Sequence, residues 1–133
     1  MRYLLDTNIV IAAIKKQPAV LTKMADIQTS NLILSPIVLG ELELGVLKSK
    51  WQKANAERLL IIKKRLPLIP LNAETSYHYG KLRAQLELQG TPIGANDYWI
   101  AAHTISLHAV LVTGNIREFA RVENLQIENW LEL

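Results

Sequence analysis

The sequence predicts an α/β fold, a three-layer α/β/α domain around a central, mostly parallel sheet of about four to five short strands. Three observations predict it. Short apolar runs alternate with helical stretches from one end of the chain to the other. The strand-like runs are joined through helices, which is the connection that parallel strands require. Polar residues follow three of these runs directly, as Asp6, as Ser35-Pro36 and as Thr113-Gly114-Asn115. In open sheets of this kind, sites lie beyond the carboxyl ends of the strands.

Each element has its own signal. Residues 2–5 read as a first strand. Thr7 or Asn8 can cap a helix over about 9–15, which would free Asp6 for another task. A second helix is expected over about 18–28, with Pro18 in its first turn. Leu32-Ile33-Leu34 is a short strand, after which Ser35 can cap a helix and Pro36 take its first position. From Val38 to Gly45 the pattern alternates with period two. A strand would put Glu41 and Glu43 on one face, whereas a helix separates them by about 200°. The Ser-Pro start and the continuation to Lys48 favour the helix. Residues 52–65 read as a basic helix that ends near Pro67, and Leu68-Ile69 as a minor strand between prolines. A long amphipathic helix is expected over 73–89, closed by Gly90. Thr91 to Asn96 is a loop, followed by a strongly apolar helix over about 97–107. Residues 109–113 are the clearest strand, 115–120 suit a short helix, and 126–128 a last edge strand.

The bulk numbers bound the class. At 133 residues the chain is long enough for one domain, 1–133, with a real core, and half of the residues are hydrophobic. No apolar run approaches the roughly 18 residues needed to cross a bilayer, so no membrane association is expected. Arg2 precedes only three apolar residues before Asp6 interrupts, which does not make a secretory signal. Cysteine is absent, which excludes disulfides and thiolate metal sites and fits a cytoplasmic setting. A net charge of +3 is compatible with a polyanionic partner. The basic residues cluster at Lys15-Lys16, at Lys48, Lys50 and Lys53, at Lys63-Lys64-Arg65, and at Lys81 and Arg83; taken alone, each cluster reads as a solvated helix end.

The carboxylates carry more information. Aspartate occurs only as Asp6, Asp26 and Asp97, and two of these lie at element boundaries inside apolar sequence. A buried carboxylate is costly unless paired or bound to a metal. Asp6 is either a helix cap or half of a site. On a helix, Glu41 has Ile37, Val38, Leu44 and Gly45 as face neighbours, and none can neutralise it. Glu43 is its natural control, because a surface role suits at least one of the two. Asp97 enters a helix that is apolar nearly all round, which predicts burial, although an acid at a helix start also suits the dipole. Glu118 lies one turn after Asn115 and beside Arg117, as a site member or a solvated surface residue. Arg117 and Arg121 are the candidate cations to balance this group. The simplest remaining balance is a divalent metal, and oxygen-only ligands suggest Mg²⁺ or Mn²⁺. His78, His103 and His108 share no ligand spacing, and each reads as a core or surface histidine.

These residues together resemble a family. Leu4-Leu5-Asp6-Thr7-Asn8, Ser35-Pro36 through Gly40-Glu41-Leu42, Pro92-Ile93-Gly94 through Asp97 to His103, Val112-Thr113-Gly114-Asn115 with Glu118-Phe119, and Glu128-Asn129-Trp130 look like a PIN domain. They most resemble the VapC-type toxins of bacterial toxin–antitoxin pairs, in the family's order and over essentially the whole chain. The resemblance implies a metal-dependent endoribonuclease with a catalytic acidic cluster at Asp6, Glu41, Asp97 and, at the fourth position, Glu118. Asp6, Glu41 and Asp97 would hold Mg²⁺ or Mn²⁺. Thr7, Asn8, Thr113, Asn115 and Arg117 would support the site or meet substrate. Gly114 departs from the Asn or Arg often found there, and Glu118 is longer than the usual Asp. The resemblance also implies an RNA substrate, products with 5′-phosphate and 3′-hydroxyl ends, a homodimer, and a cognate antitoxin whose tail covers the acidic pocket, often with an Arg.

Three other readings compete. A non-catalytic PIN-like RNA-binding or scaffold protein would keep the fold without the chemistry, and the intact acidic set argues against it. A Mg²⁺-dependent phosphatase of haloacid-dehalogenase type needs a second acid two residues after the first, where this chain has Asn8. A phospho-receiver domain needs a mid-chain phosphoacceptor, and residues 42–72 contain no Asp.

Overall fold

The structure is a computed structural model that describes residues 1–131. Its elements in chain order are β1 (Tyr3–Leu5), α1 (Thr7–Ile14), α2 (Pro18–Ala25), a 3₁₀ turn (Thr29–Asn31), β2 (Leu32–Ile33), α3 (Pro36–Leu47), α4 (Gln52–Arg65), α5 (Ala73–Leu88), α6 (Ala95–Ser106), β3 (Val110–Val112), α7 (Ile116–Phe119) and β4 (Gln126–Glu128). The strands form one sheet in the order β2-β1-β3-β4, with every pairing parallel.

The central strands explain the layers. Leu4 and Leu5 point to opposite faces, as successive strand residues must, and both are fully buried. Leu111 and Val112 on β3 repeat this. Helices therefore cover both faces, as an all-parallel sheet demands. The edge strand β4 differs, with Gln126 and Glu128 exposed and only Ile127 half-buried. Ile9, Val38, Ile100, Phe119 and Trp130 close the core around the two central strands. Burial of side chains of this size stabilises by on the order of 2 kcal/mol each, so the centre of the sheet is the least deformable part of the molecule. The site grows from there.

The structure corrects several expected boundaries. Helix α1 starts at Thr7, because Asp6 itself is the cap. Helix α2 stops at Ala25, where the Asp26 and Ile27 amides turn back to the Lys23 and Met24 carbonyls and tighten the last turn. Helix α6 begins at Ala95, with Gly94 as its cap residue. The minor strand at Leu68-Ile69 is reduced to one parallel bridge, Leu34 to Leu68. Pro67 and Pro70 remove the amide donors on either side, and a ladder cannot extend without them. The sheet of the described residues thus has four strands, within the four to five expected. Among the described residues, no helix is long and apolar enough to cross a membrane.

Candidate active site at the strand ends

The register of the sheet makes the first contact. Leu5 pairs with Val112, and the ladder runs one step further, with the Asp6 amide donating to the Val112 carbonyl at 2.9 Å. Asp6 and Thr113 are therefore side by side just past the strand ends. The Thr113 hydroxyl donates to Asp6 Oδ2 at 2.7 Å, across 107 residues of sequence. The other carboxylate oxygen, Oδ1, accepts from the Thr7 amide at 2.8 Å and caps α1. Asp6 is thus both the cap of α1 and a member of the strand-end cluster, and the expectation that Thr7 or Asn8 would take over the capping is not met. Both tasks fit one side chain because a carboxylate has two oxygens.

Helix α3 brings Glu41. Ser35 caps it through the Ile37 amide at 3.3 Å, and Pro36 takes the first helical position. Glu41 then lies in the second turn, half-buried, where the Thr7 hydroxyl donates to its Oε1 at 2.8 Å. Two threonine hydroxyls thus hold the two carboxylates, Thr7 on Glu41 and Thr113 on Asp6. Glu43 answers as the control: it is exposed and pairs with Lys63 at 3.3 Å.

Helix α6 brings Asp97 in its first turn. It is half-buried rather than buried, because Gly94, Ala95 and Asn96 beside it are exposed. The position should favour a charged carboxylate. The net effect is opposite: partial burial, and then the negative charges of Asp6, Glu118 and Glu41, push Asp97 up to about 6. Gly94 leaves room for this side chain, since a Cβ there would sit 3.3 Å from Asp97 Oδ2. Burial likewise raises Asp6 above the ordinary aspartate range, opposed by its bonds from Thr113 and Thr7.

Asn115 organises the fourth acid. Its amide donates to the Thr113 hydroxyl at 3.0 Å, and its side-chain Nδ2 donates to Glu118 Oε2 at 3.0 Å. Asn8 accepts from the Gly114 amide at 3.3 Å and closes the turn from the α1 side. A methyl at Gly114 would come within 2.5 Å of Leu131 Cδ1, so the C-terminal segment seats on the one residue where the turn lacks a side chain. Gly114→Ala is expected to keep the fold and displace Leu131, at a cost of about 1 kcal/mol in urea denaturation; an unchanged midpoint would mean that Leu131 does not pack there.

Of the expected site residues, the structure therefore gathers Asp6, Thr7, Asn8, Glu41, Asp97, Thr113, Asn115 and Glu118 at one edge of the sheet. Arg117 is exposed, and Arg121 donates to the Pro92 carbonyl at 2.8 Å. Among the described residues, no Lys, Arg or His forms an ion pair with Asp6, Glu41, Asp97 or Glu118. Mutually repelling oxygen donors of this kind suit a hard divalent cation. No three acidic or His side chains among the described residues come close enough to hold an ion as they stand. The fit is one of donor chemistry and charge, with Asp6 and Glu41 turned toward threonine hydroxyls.

Sequence reasoning missed two features. A groove of about 350 Å³ opens beside Glu41 between α1, α3 and α4. Ile11, Ile14, Val46 and Leu59 line it, together with Lys15 and Arg58. Arg58 stands outside the basic clusters, and only the helix packing reveals its position. His103 is fully buried with Nδ1 against Ser35 Oγ at 3.0 Å, while its Nε2 has no hydrogen-bond partner. It is a core histidine, but not a satisfied one.

The comparisons with known proteins show the family. A family profile described as PIN domain matches residues 3–125. Ribonuclease VapC2 of Rickettsia felis is 45% identical over 132 residues, which is 98% of both chains. The tRNA(fMet)-specific endonuclease VapC of Salmonella typhimurium is 35% identical over 130 residues, again 98% of both chains. Among solved structures, VapBC2 from Rickettsia felis bound to a DNA fragment from its promoter matches with a TM-score of 0.92 and 44% identity, covering 98% of this chain and 99% of that one. The chain belongs to the PIN-domain family, among its VapC-type members.

Proposed function

We propose that the chain is an endoribonuclease that acts as the toxin of a toxin–antitoxin pair, hydrolysing RNA phosphodiester bonds with the help of Mg²⁺ or Mn²⁺. The observation that carries this reading is the meeting of Asp6, Glu41 and Asp97 at the strand ends, with no Lys, Arg or His among the described residues in an ion pair with them. Full-length relatives that are ribonucleases support it.

Asp6, Glu41 and Asp97 would hold the ion. A bound divalent cation supplies a water of lowered pKa and shields phosphate charge. The chain's own residues do the rest. Thr113 and Thr7 fix the directions of Asp6 and Glu41. Without a cation, Asp97 has a raised pKa from burial and the neighbouring acids, a penalty that a bound divalent ion would relieve. Asn115 holds Glu118 at the rim, where a longer side chain than the usual Asp can orient water. Lys15 and Arg58, beside Glu41, are placed to meet the RNA backbone.

The partners follow from the same surface. An amphipathic antitoxin segment would lay apolar side chains in the groove and extend a basic residue toward Glu41. A homodimer and a cytoplasmic setting belong to this reading too. The substrate named for the Salmonella relative makes tRNA(fMet) the first RNA to test.

The decisive assay incubates the purified protein with tRNA and Mn²⁺, with and without EDTA. Metal-dependent cleavage that Asp97→Asn abolishes supports the nuclease, and RNA binding without cleavage favours the scaffold. A second expectation concerns pH. Protons compete with the cation at Asp97, so Mn²⁺ affinity is expected to fall about tenfold between pH 7 and pH 5. Calorimetric titration at the two values checks this, and equal affinities would remove Asp97 from the ligand set.

A further inference from the structure

We propose that the buried His103–Ser35 pair is a positioning device that fixes the distance between Glu41 and Asp97; this rests on the metal-dependent reading of the site. The geometry is a matched pair of offsets. Ser35 lies six residues before Glu41 at the head of α3, and His103 lies six residues after Asp97 on α6. Helix α3 packs on α6. At one end of that contact Glu41 faces the charge of Asp97, and at the other His103 Nδ1 meets Ser35 Oγ at 3.0 Å. The two helices therefore run in opposite directions here, and about 9 Å of helix separates the bond from the carboxylates. Any slide of one helix along the other changes the Glu41–Asp97 separation directly. The bond resists that slide.

The chemistry supports a directional role. Both residues are fully buried. Ser35 Oγ already accepts from the Ile37 amide, so its own proton is free to go to His103 Nδ1. The ring then carries its proton on Nε2, which has no partner. Burial keeps the ring neutral by pushing its pKa down, against a weaker opposing influence from the Pro70 backbone. Ser35, meanwhile, sits where β2 passes into α3, so the bond refers the position of Glu41 back to the sheet.

The test compares His103→Leu, His103→Asn and Ser35→Gly with the parent protein. Leucine fills the space without the bond. Asparagine can restore a polar atom near the place of Nδ1. Glycine removes the Ser35 hydroxyl and remains a tolerated cap. Folding is followed by circular dichroism, Mn²⁺ binding by calorimetry, and RNA cleavage by kcat and KM. His103→Leu and Ser35→Gly are each expected to weaken Mn²⁺ binding and kcat by about tenfold or more, with KM for RNA little changed. His103→Asn should recover most of both, and the variant combining His103→Leu with Ser35→Gly should lose no more than either single one. Parent-like Mn²⁺ binding and kcat in folded His103→Leu overturn the proposal. If that variant does not fold, parent-like values in Ser35→Gly overturn it equally. A parent protein that neither binds Mn²⁺ nor cleaves RNA contradicts the functional reading itself, which is a separate outcome.

Discussion

Asp97→Asn is expected to abolish RNA cleavage and, at the same time, to make the protein more stable at neutral pH. The first effect follows from the loss of a carboxylate at the centre of the acidic group. A drop of about a hundredfold to a thousandfold is the size seen when one preorganised electrostatic group is removed from an active site. The second effect follows from its pKa. Asp97 titrates at about 6 in the folded chain, against about 3.9 when unfolded. Between those values the folded state holds more protons than the unfolded state. Stability therefore falls as pH rises through the window, and the full penalty is present above about pH 6. The unscreened penalty is about 3 kcal/mol; for a half-exposed side chain it shrinks to on the order of 1 kcal/mol. The substituted amide cannot ionise, so the variant should gain a few degrees in Tm at pH 7 and lose that gain near pH 4. A thermal melt at both values checks it. Equal Tm values for parent and variant at pH 7 would mean that burial and the neighbouring acids do not raise the Asp97 pKa.

Asp6→Asn should be equally silent in catalysis and much quieter in stability. Asn keeps an oxygen for the Thr7 amide, so the cap of α1 survives. The charge does not survive, and cleavage should fall by about a hundredfold or more. Asp6→Ala loses the cap as well, at about 1 kcal/mol. The contrast between the two separates the tasks that one side chain performs. Thr113→Val isolates a third contribution. It removes the hydroxyl that donates to Oδ2 and opposes the upward shift of Asp6. Its cleavage profile should move to higher pH while its Mn²⁺-free fold stays intact. Parent-like cleavage by Asp6→Asn would return Asp6 to the role of a turn residue.

Local pattern in the sequence carries much of the site and stops at definite points. Apolar runs ending in polar residues announced the strand ends, because a parallel sheet covered on both faces leaves little room for polar groups within its strands. The control offered by Glu43 worked because helical spacing puts it on another side from Glu41. What pattern cannot supply is register. Nothing near Asp6 says that Thr113 will stand beside it; the Leu5–Val112 pairing does. Nor does spacing say that one aspartate can cap a helix with one oxygen and serve a site with the other. The half-buried state of Asp97 escaped for a related reason. Its helix is apolar, but its first turn emerges from an exposed loop. His103 read only as a core or surface histidine, and its bond to Ser35 was not legible, because that bond joins positions 68 residues apart in sequence.

In the proposed function, Asp6, Glu41 and Asp97 together would seat a divalent cation. Calorimetric titration of Mn²⁺ into the parent protein and into Asp6→Asn, Glu41→Gln and Asp97→Asn tests it most directly. Binding by the parent that weakens in all three variants, by about tenfold or more in each, is the predicted result. Parent-like binding in all three, with RNA cleavage that persists in EDTA, would contradict it.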